Sequence, residues 1–303
     1  MRDLIIIGGA SAAQSAAIYA VRSGMDVLVI ADDYGGQINN TDVVENYLGF
    51  KSISGPDLAD EFLEHMRDYD VDEKQDERAL DVRKEDGTFE VETESGEVFE
   101  SYSVIIATGG HRRKLDVPGE EEFENKGVAY CAVCDGPLYQ GEEVAVIGGG
   151  YAGTEAAVYL SDIAKKVYVL SRSGVLKGED ITIQKVKQAE NVEVLEQALT
   201  QEFYGDNLLQ GLRYEQDGEI KDLEVTGAFI EIGTVPNSDI TGLVEKTEGG
   251  YIKTDKRLRT GVEGLYAAGD VADWGEQQLV VTAGQGCQAA LHASDYVKEQ
   301  KAD

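Results

Sequence analysis

The sequence predicts an α/β protein made of two Rossmann-like three-layer nucleotide-binding domains, the second inserted into the first. Three observations carry this reading. A β-α-β pattern around a glycine turn occurs twice, at residues 4–30 and 144–170. The dithiol segment Cys131-Ala132-Val133-Cys134-Asp135 stands shortly before the second copy. After that copy the chain returns to one more core-strand pattern and a closing helix, as an insertion requires.

The elements follow in order. Residues 4–7 form a short apolar run, the mark of a strand buried on both faces. Gly8-Gly9-Ala10-Ser11-Ala12-Ala13 then turns into an apolar helix through Ala16, Ala17, Ile18, Ala20 and Val21. Residues 26–30 are the second strand and end in Asp32-Asp33. Leu58, Phe62 and Met66 give 57–70 helical spacing. Residues 89–92 and 98–101, split by Glu94-Ser95-Gly96, read as a hairpin. Residues 104–107 read as another buried strand, ending in Thr108-Gly109-Gly110. Residues 114–119 read as a linker. A strand at 144–147, a glycine turn at 148–153, a helix at 154–163 and a strand at 167–170 build the second unit. Residues 192–195, a hairpin-like 212–223 and 228–232 follow. The chain is expected to cross back near 242–250, with a core strand ending at Asp270 and a closing helix at 281–298. The expected domains are therefore 1–112 with 245–303, and 113–244.

Composition narrows the function. With 27 Lys and Arg against 58 Asp and Glu, the net charge is −31, and the acid is dispersed rather than gathered in a tail. Nucleic acid and anionic membranes would be repelled by such a surface, so neither is expected as a partner. Dispersed acidity with few basic residues fits a high-salt cytosol, where screening removes most self-repulsion. Three cysteines do not make a secreted disulfide framework. The apolar run after Met1-Arg2-Asp3 is too short for a signal sequence, and no stretch approaches a membrane span. A soluble cytoplasmic protein is expected.

In the first fingerprint Gly8, Ala10 and Ala13 take the positions of G-x-G-x-x-G/A. Glycine permits the tight turn, and free N–H groups at the helix start suit a pyrophosphate. Ala10 departs from the pattern, and its methyl is expected to weaken the fit. Asp32 reads equally as an acceptor for a ribose hydroxyl or as a plain acid in an exposed turn. The second fingerprint, Gly148, Gly150 and Gly153, is intact. Its second strand ends in Arg172 rather than an acid, with Lys177 behind. A guanidinium there attracts a 2′-phosphate where a carboxylate would repel it, which favours NADPH over NADH.

A Cys-x-x-Cys pair has three uses. Zinc needs four ligands, and His65, His111 and His292 offer no second set, so no metal is expected. Inert buried thiols are the plain alternative. Redox use is preferred, because Asp135 supplies the proton donor and acceptor that a dithiol needs. Cys287, in the closing helix, reads as a small buried apolar residue.

Taken in order, the landmarks of the whole chain resemble the low-molecular-weight thioredoxin reductases. They are the N-terminal glycine turn, Gly35-Gly36-Gln37, Val44-Glu45-Asn46-Tyr47, Ala107-Thr108-Gly109, Cys131 to Gly136, Gly148-Gly149-Gly150, Pro236-Asn237, Ala267-Ala268-Gly269-Asp270 and Ala283-Gly284-x-Gly286. The resemblance implies FAD in the discontinuous domain, NADPH in the inserted one, and a homodimer. FAD positions match Gly8, Ala10, Ser11, Asp32, Gly35, Gly36, Gln37, Asn46, Thr108, Gly109, Gly269, Asp270, Gln277, Gln278 and Leu279. Positions for NADP match Gly148, Gly150, Tyr151, Gly153, Arg172 and Lys177. It further implies that Cys134 faces the flavin, that Cys131 attacks the disulfide of a thioredoxin-like partner, and that Asp135 handles protons.

Four departures stand out. The basic pattern His-Arg-Arg-x-x-x-Arg appears as Ser171-Arg172-Ser173-x-x-x-Lys177, and an Arg-Gln pair as Gln277-Gln278. Leu48 replaces a proline and Tyr151 a polar residue. NADH, a ferredoxin-like donor, or oxygen in a dithiol oxidase therefore stay open beside NADPH. The acidic composition suggests a haloarchaeal member.

The charge reading has a direct check. At 0.01 M salt the Debye length is about 30 Å, against about 3 Å at 1 M, so carboxylates repel one another widely in dilute buffer. The melting temperature should rise between dilute buffer and molar KCl; an unchanged value would remove the halophilic reading.

Overall fold

The computed structural model describes residues 1–40, 44–274 and 277–302, with only the backbone of Asn40 and Cys134. Its contacts divide the chain into two units, Met1–His111 with Val235–Asp303, and Arg112–Thr234.

The first unit opens with β1 (Arg2–Ile7), α1 (Ser11–Arg22) and β2 (Val27–Ile30), then α2 (Gly55–Arg67) and β3 (Asp72–Lys74). The strands β4 (Ala79–Glu85), β5 (Thr88–Thr93) and β6 (Val98–Ile106) form an antiparallel run. β1 lies between β2 and β6, parallel to both, with Ile7 opposite Ile30 and Ile106. From Leu4 to Ile7 this strand is apolar because both its faces are buried. Leu4 and Ile6 pack with Ala13, Ala16 and Ala17 of α1. Ile5 and Ile7 point the other way and pack with Val82, Phe89 and Val91. Ser54 caps α2, its hydroxyl accepting from the Asp57 amide at 3.1 Å, and Pro56 sits in the first turn.

Residues 98–101 and 104–107, read separately from sequence, fall on one nine-residue strand that ends at Ile106, just before Ala107. Ser101 and Ser103 do not break it because both hydroxyls are satisfied in the interior, on the carbonyls of Ser103 and Gly264.

β7 (Gly110–Arg112) leads into the second unit, which contains β8 (Val128–Ala129), the short α3 (Ala132–Asp135), β9 (Glu143–Ile147), α4 (Tyr151–Ser161), β10 (Lys166–Ser171) and α5 (Asp180–Gln188). β11 (Val192–Glu196), the antiparallel β12 (Leu199–Gly205), β13 (Leu209–Gln216) and β14 (Glu219–Glu224), and β15 (Gly227–Ile230) complete it. A parallel sheet runs in the order β11-β10-β9-β15-β8. Val144 and Val146 pack on Ala157 and Leu160 of α4. Ala145 and Ile147 pack toward Phe203, Leu212 and Tyr214 of the antiparallel strands. The unit is thus helix, parallel sheet and antiparallel sheet in three layers. The segment expected as a linker is part of this unit: Leu115 and Val117 pack on its core, and the buried Glu120 carboxylate accepts from the amides of Leu115 and Asp116 and from the Tyr130 hydroxyl.

β16 (Thr234–Pro236) leads back, about ten residues before the expected crossing. The residues that follow already belong to the first core, where Ile240 is buried, its carbonyl accepts from the Val82 amide, and the Thr241 hydroxyl donates to the Val82 carbonyl. β17 (Leu265–Ala267) then adds to β6 in parallel, and α6 (Leu279–Ala302) closes the unit by packing Ala289, Ala290 and Ala293 into the α1 face.

The contact between α1 and α6 is close enough that a Cβ on Gly286 would collide with the Ala12 carbonyl, whereas one on Gly284 would meet nothing. Gly286→Ala should therefore cost about 1–3 kcal/mol through overpacking. Gly284→Ala should stabilise by roughly 0.5–1 kcal/mol through helix propensity. Thermal unfolding of the two variants checks the opposite signs.

Candidate functional site

The two glycine turns have the same build. In each, the first glycine follows a strand and donates its amide to the end of the next strand, Gly8 to Ile30 at 2.9 Å and Gly148 to Leu170 at 3.0 Å. Both lie at strongly positive φ, 129° and 135°, where a Cβ would also strike the end of a third strand, at the carbonyl of Ala107 or of Glu231. The helix then starts at a residue in extended conformation, Ala10 (φ −95°, ψ −172°) or Gly150 (φ −84°, ψ −172°). Negative φ makes no demand for glycine, so Ala10 keeps the backbone of the intact fingerprint. Its methyl faces Gly36, where a second Cβ would lie 3.1 Å away.

In the first unit several expected positions meet around this turn. The Gly35 amide donates to the Gly9 carbonyl at 3.1 Å, and the Gln37 amide group to the Gly110 carbonyl at 3.1 Å. Ser11 and Thr282 share a buried hydroxyl pair at 2.7 Å, near the start of α6 at Leu279. The Asn46 side-chain amide donates to Gln278 Oε1 at 3.4 Å, and the Gln277 side-chain amide donates to the Tyr251 hydroxyl at 3.3 Å. Asp32 is exposed at the end of β2, its carboxylate accepting from the Asp33 amide. Leu48 is 91% exposed.

Two side chains not anticipated as site residues set this geometry. Asn237 donates to the Thr108 carbonyl at 2.9 Å, accepts the Thr108 hydroxyl on its own carbonyl at 2.6 Å, and sends its amide to Gly109. Gln285, buried in α6, accepts from the Gly269 amide at 2.7 Å and donates to the Trp274 carbonyl at 2.5 Å. The loop bearing Asp270 is clamped at both ends. Asp270 itself has a buried Oδ1 with no hydrogen-bond partner among the described residues, and burial raises its carboxyl above the usual range. A buried carboxylate oxygen with no donor, beside a glycine-rich turn, fits a polar cofactor that donates to it.

In the second unit the Lys177 amide donates to the Gly149 carbonyl at 2.7 Å, and Gly149 has room for no side chain because Ser171 stands against it. Arg172 and Lys177 thereby flank the turn. Both side chains are exposed and form no ion pair among the described residues, whereas five of the eleven arginines do, Arg213 holding both Glu202 and Asp222. Tyr151 begins α4 with 62% of its surface exposed.

Cys131 is disulfide-bonded and precedes α3, where the Asp135 amide donates to the Cys131 carbonyl at 3.1 Å. Two groups brace this turn. The Tyr159 hydroxyl donates to the Val133 carbonyl at 3.3 Å, and the Ala132 amide donates to Glu231 Oε1 at 3.4 Å. The Cys134 side chain lies outside the described residues. Cys287 is a free thiol, half-buried rather than enclosed, beside the Tyr19 hydroxyl.

A disulfide on a turn in one unit, with a glycine turn of dinucleotide-binding pattern in each, is the combination that marks the nucleotide-dependent disulfide oxidoreductases as a class. Residues 2–287 match the pyridine nucleotide-disulphide oxidoreductase family, and the chain belongs to it. The family is one of flavoprotein oxidoreductases that use FAD and a pyridine nucleotide. Among solved structures, a thioredoxin reductase of Lactococcus lactis superposes with a TM-score of 0.88 at 34% identity, covering 99% of this chain and 100% of that one. A thioredoxin reductase of T. acidophilum gives 0.85 at 36% identity, covering 97% and 98%. A Bacillus subtilis protein named NADH dehydrogenase is 43% identical over 298 residues, 97% of this chain and 58% of its own length. An alkyl hydroperoxide reductase component of Staphylococcus aureus is 41% identical over 97% of this chain and 59% of its own. The chain thus spans about three fifths of the length of these curated relatives. No described helix is long and apolar enough to cross a membrane.

The orphaned Asp270 yields a prediction on the cofactor-free protein. Its folded-state pKa lies above the unfolded one, so the ionised form opposes folding at neutral pH, and the penalty fades as pH falls through the raised value. Asp270→Asn should raise the melting temperature of flavin-free protein at pH 7, with the gain shrinking toward pH 4. A gain independent of pH would mean that charge burial is not its cause.

Proposed function

We propose that this chain is a flavin-dependent disulfide reductase of the thioredoxin reductase type, taking electrons from NADPH and acting on a thioredoxin-like protein. The observation that carries the reading is the disulfide at Cys131, set on a short turn in a chain with two dinucleotide turns. Likeness to thioredoxin reductases over nearly the whole of both chains supports it.

FAD would lie against Gly8–Ser11, Gly35–Gln37, Thr108–Gly109 and Asp270, and when bound it relays an electron pair from the pyridine nucleotide to the disulfide. The amides around Gly148 and Gly150 would hold the nucleotide pyrophosphate, with Arg172 at the 2′-phosphate. The Cys131–Cys134 bond accepts the electron pair and opens to one thiolate and, with one proton, one thiol. Cys131 as thiolate attacks the partner's disulfide, and Cys134 resolves the mixed disulfide, releasing the partner as a dithiol. Asp135 gives and takes the protons of these steps.

A second reading keeps this chemistry with NADH as donor. Serines at 171 and 173 leave Arg172 as the one guanidinium at the strand end, and a relative named NADH dehydrogenase supports it.

Anaerobic reduction of the purified protein by each nucleotide, followed at the flavin band, separates the readings. If Arg172 reads the 2′-phosphate, Arg172→Ala removes a charge-assisted contact of roughly 1.5–3 kcal/mol. The KM for NADPH should then rise tenfold or more, with that for NADH nearly unchanged. Equal effects would favour the NADH reading, and no bleaching by either nucleotide would overturn both. Cys131→Ser and Cys134→Ser should each abolish turnover with a thioredoxin.

A further inference from the structure

We infer that Glu231 is a positioning residue of the cysteine turn, whose carboxylate both braces the start of α3 and, as a neighbouring anion, restrains formation of the Cys131 thiolate. The inference rests on the reading of Cys131 as the attacking thiol.

Glu231 follows β15, and its Oε1 accepts from the amide of Ala132, the residue after Cys131, at 3.4 Å. It is a carboxylate in an otherwise apolar strand end, Ala228-Phe229-Ile230-Glu231-Ile232. The repeat within the chain indicates what the scaffold requires there. Glu231 presents its carbonyl to Gly148 as Ala107 presents its own to Gly8, so the two positions are equivalent, and in the first unit a methyl suffices. The carboxylate is therefore additional to what the turn needs to fold. Among the described residues three groups face it: the Ala132 amide, Arg112 on β7 and Glu155 on α4. Burial, reinforced by Glu155 and opposed by Arg112 and the Ala132 amide, pushes its carboxyl up to about 7. Glu231 thus changes charge near neutrality. Below that point it is neutral and leaves the thiolate unopposed. Above it, a second anion stands at the same turn and raises the thiol pKa of Cys131.

The test is alkylation of the fully reduced protein by iodoacetamide, read at Cys131 by peptide mass spectrometry between pH 5.5 and 9.5. In the wild type the rate should depart from a single titration, with an additional step near pH 7. Glu231→Gln keeps an acceptor for the Ala132 amide but carries no charge. It should give a single titration and a rate at pH 7.5 about threefold higher, because the larger thiolate fraction is partly offset by its lower nucleophilicity. Glu231→Asp should restore the extra step. Arg112→Gln, which leaves Glu231 in place, should move that step to higher pH. A Glu231→Gln profile that superimposes on the wild type, or a step unmoved in Arg112→Gln, would overturn the inference. Retained thioredoxin turnover in Cys131→Ser would instead sink the functional reading, whatever the alkylation profile, so the two failures are distinct.

Discussion

The structure depends on one steric constraint used twice: a backbone turn with no Cβ, pressed against the last carbonyl of a neighbouring strand. At Gly8 that carbonyl belongs to Ala107, and at Gly148 to Glu231. The contact fixes the end of the central strand, the start of the following helix and the exit of the third strand relative to one another. Several segments of interest leave from those ends or bond to the turn they frame. Thr108-Gly109 follows Ala107, and Gly35 donates to the first turn. In the second unit Arg172 follows the strand that accepts from Gly148, and the cysteine turn leans on the residue that Gly148 touches.

Much of this is legible in the sequence because the central strands are buried on both faces, so selection for burial writes them as unbroken apolar runs such as Leu4-Ile5-Ile6-Ile7. Elements with one wet face are harder to read. β4, Ala-Leu-Asp-Val-Arg-Lys-Glu, buries only Val82, and α5 buries only Val186, so neither shows a pattern above its charges. The second crossing falls earlier than its local pattern suggests, because what holds it is distant. Asn237 is a strap across Thr108 and Gly109, 129 positions away in sequence from Thr108, and no local signal records such a contact. Glu231 does carry a signal, a charge within an apolar strand end, which becomes informative only once the two turns are superposed in thought and Ala107 is found in its place.

Scarcity of cations shapes the surface as much as abundance of anions. Arg2 is shared by Asp26 and Asp72, Arg83 by Asp81 and Glu92, and Lys114 by Glu121 and Glu124. Each triad is exposed and adds little stability by itself, and each still carries a net negative charge. Sharing spreads few cations over many carboxylates, and Arg172 is one of the guanidinium groups with no carboxylate partner among the described residues.

The late position of α6 has a consequence for the order in which these units can be completed. The alanine face of α1 is covered by Ala289, Ala290 and Ala293, so it has no lasting cover until α6 has left the ribosome. The unit that contains β1 is thus begun before the inserted one and closed after it. The inserted unit has all its strands in one continuous stretch and has no such wait. This reverses the usual N-terminal-first sequence of domain formation, and leaves the nascent β1-α1-β2 segment as the stretch most in need of protection during synthesis.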